Sequence, residues 1–181
     1  GVEAGGIAAV TRTVTLHAPF AGWFAPLDEV PDPVFAERMM GDGCAIDPIE
    51  GELRAPADAT VIAVPATAHA VTLRLDNGAE LLIHVGLETV ALGGQGFTAL
   101  VAAGARVAVG DVLLRFDLDA VGEAATALIT PIVVANEGYA LRLDAPGRAV
   151  AAGDAIGVIE GEAAAVGAPA AVSPSRSVPV A

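Results

Sequence analysis

Pro65-Ala66-Thr67-Ala68-His69-Ala70-Val71-Thr72-Leu73-Arg74-Leu75-Asp76-Asn77-Gly78-Ala79-Glu80-Leu81-Leu82-Ile83-His84-Val85-Gly86 is the most informative stretch of this chain. Asn-Gly between two apolar runs is a strong hairpin signal, because both central residues of a type I′ turn need positive φ. With Asn77-Gly78 as a two-residue loop, Asp76 pairs with Ala79, Leu73 with Leu82, Val71 with His84 and His69 with Gly86. Cross-strand partners share a face, as do residues two apart along a strand. His69 and His84 are therefore expected as diagonal neighbours on one face, roughly 7–8 Å apart at the backbone. Thr67 shares that face, and Gly86 opposite His69 would leave room between the rings for a ligand. A bulge or longer loop would shift this register by one residue and turn one histidine away.

The flanking sequence has the same character. Gly and Pro recur every few residues, with short Val/Leu/Ile-rich runs between them, which favours an all-β antiparallel sandwich or distorted barrel. Expected strands are Thr13–His17, Ala45–Pro48, Glu52–Arg54, Thr60–Val64, Val71–Asp76, Leu81–Val85, Val112–Phe116, Ile132–Val134 and Ala155–Ile159. One or two short helical turns are expected, over Val34–Met40 behind Pro31 and Pro33, and over Asp119–Ala127 opened by Asp119. A repeat supports the β reading. Gly104-Ala-Arg-Val107-Ala-Val-Gly110-Asp111-Val-Leu113 matches Gly147-Arg-Ala-Val150-Ala-Ala-Gly153-Asp154-Ala-Ile156 at identical spacing, as strand, Gly-Asp turn, strand.

Composition bounds the function. The 181 residues suit one domain with a tail, and the high hydrophobic fraction is mostly small, with 40 Ala and 23 Val against 5 Phe, 1 Trp and 1 Tyr. No apolar run reaches the roughly 18 residues of a membrane-spanning helix, so no membrane insertion is expected. The first residues show no basic segment followed by an apolar one, so no signal peptide is expected, and they begin with Gly1 rather than Met, as expected of a trimmed chain. The lone Cys44 excludes an internal disulfide framework and fits a reducing, cytoplasmic setting. It reads as a small core side chain, and His17 as a solvated structural residue. The net charge is −13, from 22 acids and nine bases, every one of which is arginine. So acidic a surface argues against nucleic acid and suits a partner with a basic face.

Two imidazoles with a hydroxyl neighbour offer two chemistries. A ring nitrogen can accept a group covalently. A phosphoryl group on His84 would need a donor for its oxygens, which His69 could be, with Thr67 fixing the His69 tautomer. Alternatively the pair could bind zinc, completed by Glu88 or a partner's carboxylate.

At these residues the chain resembles a known family. Gly78-Ala-Glu-Leu-Leu-Ile-His84-Val-Gly86-Leu-Glu88-Thr89-Val90 is similar to the phosphohistidine signature of the glucose-family enzyme IIA domains of the bacterial phosphoenolpyruvate-dependent sugar phosphotransferase system. Thr67-Ala-His69-Ala resembles that family's Thr-x-His-Ala. Ala18-Pro19, Val30 to Gly43, Ala55-Pro56, Gly94-Gln-Gly-Phe97, Val109-Gly-Asp111, Phe116-Asp117 and Thr130-Pro131 continue the pattern in order.

The resemblance implies a β-sandwich phosphocarrier. His84 would accept a phosphoryl group from HPr and pass it to a cysteine of enzyme IIB. His69 would hold the phosphoryl oxygens, and Thr67 would orient His69. Gly86 and Glu88 would support the site, and Met39, Met40, Ile46, Val85 and Val90 would form an apolar docking patch within the acidic surface. No metal is required, although zinc between His69 and His84 with a partner carboxylate is compatible with the family. Departures are Ala68 where some members have Asn, Glu88 where Asp is common, and Met39-Met40 in place of branched residues.

The expected organisation is an N-terminal extension over 1–13, the enzyme IIA domain over 14–159 and an Ala/Pro/Ser-rich linker over 160–181. In the family such linkers tether the domain to HPr and enzyme I or to membrane IIB/IIC domains, raising the partner's effective concentration. The reading favoured is the N-terminal domain of a multidomain phosphoryl transfer protein. Three rivals fare worse. A lipoyl or biotinyl carrier needs a lysine, and the chain has none. A zinc peptidase needs a third ligand and a His-x-His pair, whereas His84 is followed by Val85-Gly86. A regulatory binding module without phosphotransfer would not need His69, His84 and Thr67 together.

Overall fold

The computed structural model of the chain describes residues 10–163. All nine expected strands are present: β1 (Val10–His17), β3 (Asp42–Pro48), β4 (Glu52–Arg54), β5 (Ala59–Ala63), β6 (Ala70–Leu75), β7 (Glu80–His84), β10 (Val112–Phe116), β11 (Thr130–Val134) and β14 (Ala155–Ala163). Five more complete the fold: β2 (Gly22–Pro26), β8 (Phe97–Ala99), β9 (Arg106–Val107), β12 (Tyr139–Leu143) and β13 (Arg148–Val150). They form an eight-stranded sheet in the order β13-β2-β3-β11-β7-β6-β5-β9 and two three-stranded sheets, β1-β14-β12 and β4-β10-β8. Every pairing is antiparallel.

The all-β expectation therefore holds, and both helical segments are short. Pro33–Ala36 is opened by Asp32, whose carboxylate accepts from Val34 N at 3.0 Å, with Pro33 in the first turn where its missing N–H costs nothing. Leu118–Ala124 is capped by Asp117, not Asp119, through the Ala120 amide at 3.0 Å. Two 3-10 turns, Leu27–Glu29 and Thr89–Leu92, were not expected. Among the described residues no helix is long and apolar enough to cross a membrane.

The repeat is a matched pair of joints. Gly110 and Gly153 have φ of +93° and +91°, and Asp111 and Asp154 each accept from the amide three residues back at 2.8 Å. Gly110 N donates to Ala55 O and Ala55 N to Asp111 O; Gly153 N donates to Ala18 O and Ala18 N to Asp154 O, all at 2.7–2.9 Å. Arg54 N also donates to Pro19 O, and His17 N to Pro56 O, both at 2.9 Å. Leu-x-Ala-Pro at 16–19 and 53–56 is thus the other half of the repeat, unread in the sequence.

The hairpin register needs correction. Ala70 pairs with His84, Val71 with Ile83 and Leu73 with Leu81, one residue away from the expected ladder. The loop holds three residues, because Leu75 N bonds Ala79 O at 2.8 Å and Gly78 N bonds Leu75 O at 2.9 Å. Only Gly78 has positive φ there (+93°), as in a three-residue turn with glycine in its left-handed position. Asn77 acts through its side chain, accepting from Ala79 N at 3.1 Å and donating to Ile159 O at 3.0 Å.

This register sends Leu81, Ile83 and Val85 into the main core, with Phe20, Phe24, Leu53, Leu73 and Leu114. Leu82 faces a smaller cluster of Leu27, Val30, Phe35, Ala45, Leu87 and Val133. The expected domain boundaries also move. β1 and β14 pair from Val10↔Ala163 through Thr13↔Glu160 to Leu16↔Gly157, so 10–13 and 160–163 belong to the folded sheet. Inter-strand hydrogen bonding takes in residues that the start of the family resemblance and the Ala/Pro/Ser-rich composition had left to an extension and a linker. Residues 1–9 and 164–181 of those segments lie outside the described residues.

Candidate active site

His84 ends β7, and His69 lies just before β6. In the observed register the two residues would face opposite sides of a regular ladder. Nevertheless the ring centroids are 4.8 Å apart, edge to face at 73°. The backbone before β6 is responsible. Ala68 has φ of +56° and closes a turn from Ala68 N to Pro65 O, so the chain is not extended there and the His69 ring comes round the strand end. The strand ladder continues in part, since Val85 N donates to His69 O at 2.8 Å. The rings meet as expected, but by a different route.

The hydrogen bonds distinguish the ring nitrogens. His84 Nδ1 lies 2.8 Å from Gly86 O. A carbonyl oxygen only accepts, so Nδ1 carries the proton and neutral His84 has its lone pair on Nε2. His69 Nδ1 is 2.6 Å from Thr67 Oγ1. When that hydroxyl donates, the His69 proton sits on Nε2. His69 is 7% exposed. Burial holds its pKa below the usual value, and the neighbouring His84 lowers it further by charge repulsion, favouring the neutral ring.

Phe35, on the Pro33–Ala36 helix, packs its ring 5.7 Å from that of His84 and is itself buried. It was not singled out in the sequence, although its place after Asp32-Pro33 sets it on a capped helical turn. Arg38 follows at φ +61°, held by Asp28 at 2.7 Å and Asp42 at 3.0 Å. Beyond it Met39 and Met40 are 69% and 42% exposed, and Val90 is 55% exposed, as a docking surface requires. Ile46 and Val85 do not belong to such a surface. Both are fully buried in the main core, because strand alternation turns them inward.

Gly86 serves a purpose other than the one expected. Its φ is +70°, and a Cβ there would lie 2.9 Å from Ala127 O and from Thr89 Cγ2. Glycine is needed for backbone conformation and close packing, not to open space between the imidazoles. Glu88 is exposed, with φ of +60°, and begins the 3-10 turn Thr89–Leu92. Among the described residues no group of three or more His, Cys, Asp or Glu could hold a metal ion. The two Nε2 atoms would supply two ligands, and zinc's usual four would need a partner's carboxylate and water. Cys44 is a buried core thiol, as expected, its pKa pushed up to about 12 by desolvation. His17 is half-buried and not fully solvated, its Nδ1 3.1 Å from Pro56 O.

Comparisons with known proteins give the family. Residues 14–139 match the family model described as phosphoenolpyruvate-dependent sugar phosphotransferase system, EIIA 1. The PTS system glucose-specific EIIA component of Bacillus cereus is 49% identical over 131 residues, 72% of this chain and 79% of the relative. The protein of the same description from Oceanobacillus iheyensis is 50% identical over 125 residues, 69% of this chain and 76% of the relative. Among solved structures, glucose permease IIA from Mycoplasma capricolum aligns with a TM-score of 0.77 at 36% identity, covering 81% of this chain and 96% of that one. The match runs through both histidines and the strands that bring them together, and the chain belongs to the EIIA 1 family of the phosphoenolpyruvate-dependent sugar phosphotransferase system.

Proposed function

We propose that His84 is the residue on which this phosphotransferase component carries its phosphoryl group. The observation that supports this most directly is the 2.8 Å contact from His84 Nδ1 to Gly86 O, which leaves Nε2 as the free nucleophile. The Nε2 lone pair attacks the phosphorus of phosphohistidine on HPr. A new N–P bond forms as the bond to the HPr ring breaks, and its electron pair returns to that ring. In the onward step a cysteine thiolate of enzyme IIB attacks the phosphorus, an S–P bond forms, and the lone pair returns to His84 Nε2.

His69, with its Nδ1 engaged by Thr67, presents Nε2–H to the phosphoryl oxygens and stabilises the charge in transfer. Met39, Met40 and Val90 supply the apolar contact, and the acidic surface favours a basic partner face. The same reading puts the work in the cytoplasm, where HPr operates, and the Ala/Pro/Ser-rich composition after residue 163 suits a tether to HPr and enzyme I. Zinc bridging His69, His84 and a partner's carboxylate would occupy both Nε2 atoms and so compete with transfer.

The test is phosphoenolpyruvate, enzyme I and HPr added to this chain, followed by intact-mass measurement. One acid-labile phosphoryl group is expected, absent in His84→Ala. His69→Ala should accept the group but fail to pass it to enzyme IIB. No phosphorylation by a competent HPr would overturn the reading.

A further inference from the structure

From Val85 to Leu87, directly after His84, every backbone N–H and C=O is engaged. Val85 N donates to His69 O, Leu87 N to Ala127 O, and Thr126 N to Leu87 O. The peptide plane between Val85 and Gly86 is held at both ends by threonine hydroxyls. Thr89 Oγ1 donates to Val85 O at 2.6 Å, and Gly86 N donates to Thr130 Oγ1 at 3.3 Å. Thr130 Oγ1 in turn donates to Leu128 O at 2.9 Å, so its proton is committed and its lone pair faces Gly86. The next plane carries the Gly86 carbonyl, and that oxygen accepts from His84 Nδ1.

Thr89 and Thr130 are 0% exposed, and with His69 they make up the buried polar side chains among the described residues. A hydroxyl in an apolar interior is costly unless it is bonded, and a β-branched apolar residue would fill the same space. Thr89 comes from the 3-10 turn that begins at the end of the signature and Thr130 from β11, so two separate elements converge on one peptide.

We propose that Thr89 and Thr130 are positioning residues for phosphoryl transfer. By clamping the Val85–Gly86 peptide they aim the Gly86 carbonyl at His84 Nδ1, which keeps the proton on that nitrogen and Nε2 free for phosphorus. Neither hydroxyl touches the reacting atoms. The inference rests on His84 as acceptor for its rate effect, but its effect on the imidazole tautomer can be observed without any phosphoryl donor.

The test uses Thr89→Val and Thr130→Val, which remove the hydroxyl and keep the shape, with Thr89→Ser and Thr130→Ser as rescue. Imidazole 15N spectra give the His84 tautomer, and single-turnover transfer from phosphorylated HPr gives the rate. Expected for the folded valine variants is a His84 proton shared between Nδ1 and Nε2 instead of held on Nδ1, with transfer about tenfold slower, both restored by serine. A folded valine variant with unchanged tautomer and rate would overturn the proposal, as would serine variants as impaired as the valine ones, since methyl packing would then be the cause. Because the two sites reach the same peptide from opposite ends, one folded variant is enough. In the unsubstituted protein both hydroxyl protons must exchange slowly with solvent, and rapid exchange would overturn the clamp with no variant made. If the tautomer shifts while even the unsubstituted chain accepts no phosphoryl group, the carrier reading has failed and the clamp stands.

Discussion

Gly86→Ala separates two accounts of the glycine that follows the His84-Val85 pair. If Gly86 is needed for backbone conformation, alanine must take up φ near +70°, at a cost of about 1–2 kcal/mol. Its Cβ would also sit 2.9 Å from Ala127 O and Thr89 Cγ2, contacts too short to keep. Ala127 O already accepts from Leu87 N at 2.9 Å, so retreat on that side weakens a hydrogen bond worth about 1 kcal/mol. Together these give a loss of about 2–4 kcal/mol. For a domain of about 150 residues that corresponds to roughly 5–15 °C in Tm. Urea and thermal unfolding, followed by circular dichroism, measure it. Because Gly86 O is the His84 acceptor, transfer from HPr should also slow in the variant. If instead the missing side chain served only to admit a ligand between the rings, alanine would block transfer and leave stability alone. A loss below about 0.5 kcal/mol would therefore refute the conformational argument.

Three further outcomes are expected. His69 in the folded state binds its proton at lower pH than in the unfolded chain, so the unfolded state takes up more protons between the depressed value and 6.5. Stability should fall as pH drops through that window, by at most about 1.4 kcal/mol per pH unit, and a His69→Gln variant with the same pH slope would contradict this. Thr67→Val removes the partner of His69 Nδ1, so transfer to enzyme IIB should slow about tenfold, and equal rates in rapid-quench experiments would deny Thr67 its role. Ile46→Ala should cost about 2–5 kcal/mol, whereas Met39→Ala should stay within about 0.5 kcal/mol and weaken HPr binding. Calorimetry on both variants would reveal a reversed pattern.

The fold class was legible because Gly-Asp turns and short apolar runs report local backbone geometry directly. Asn77-Gly78 marked the hairpin, but Asn77 makes side-chain bonds to Ala79 N and Ile159 O, the latter 82 positions away in the chain. A long-range partner of that kind cannot be seen in a local window, and the register slipped by one. The meeting of His69 and His84 survived only because Ala68 leaves the extended region, which alanine, unlike glycine or asparagine, does not announce. His69, His84 and Thr67 were legible in the residues themselves, whereas the docking residues came from resemblance, which carried over the buried Ile46 and Val85. Their inward orientation depends on strand alternation in the true register. Phe35, Thr89 and Thr130 lay in the quoted motifs yet stood out only once the fold brought them to His84. Tyr139–Leu143 is a different case, since its alternation of half-buried and exposed positions was present in the sequence and went unread.

The pairing of β1 with β14 has a consequence during synthesis. Val10 finds its partner only at Ala163, roughly 150 residues later. At about 5–20 residues per second, the first strand leaves the ribosome on the order of ten seconds before its neighbour exists. An unpaired strand waiting that long is open to capture by other nascent chains. Arg12, Thr13 and Thr15 on its exposed positions break what would otherwise be an aggregating apolar edge, so the polar character of this strand protects the polypeptide before it can protect anything folded.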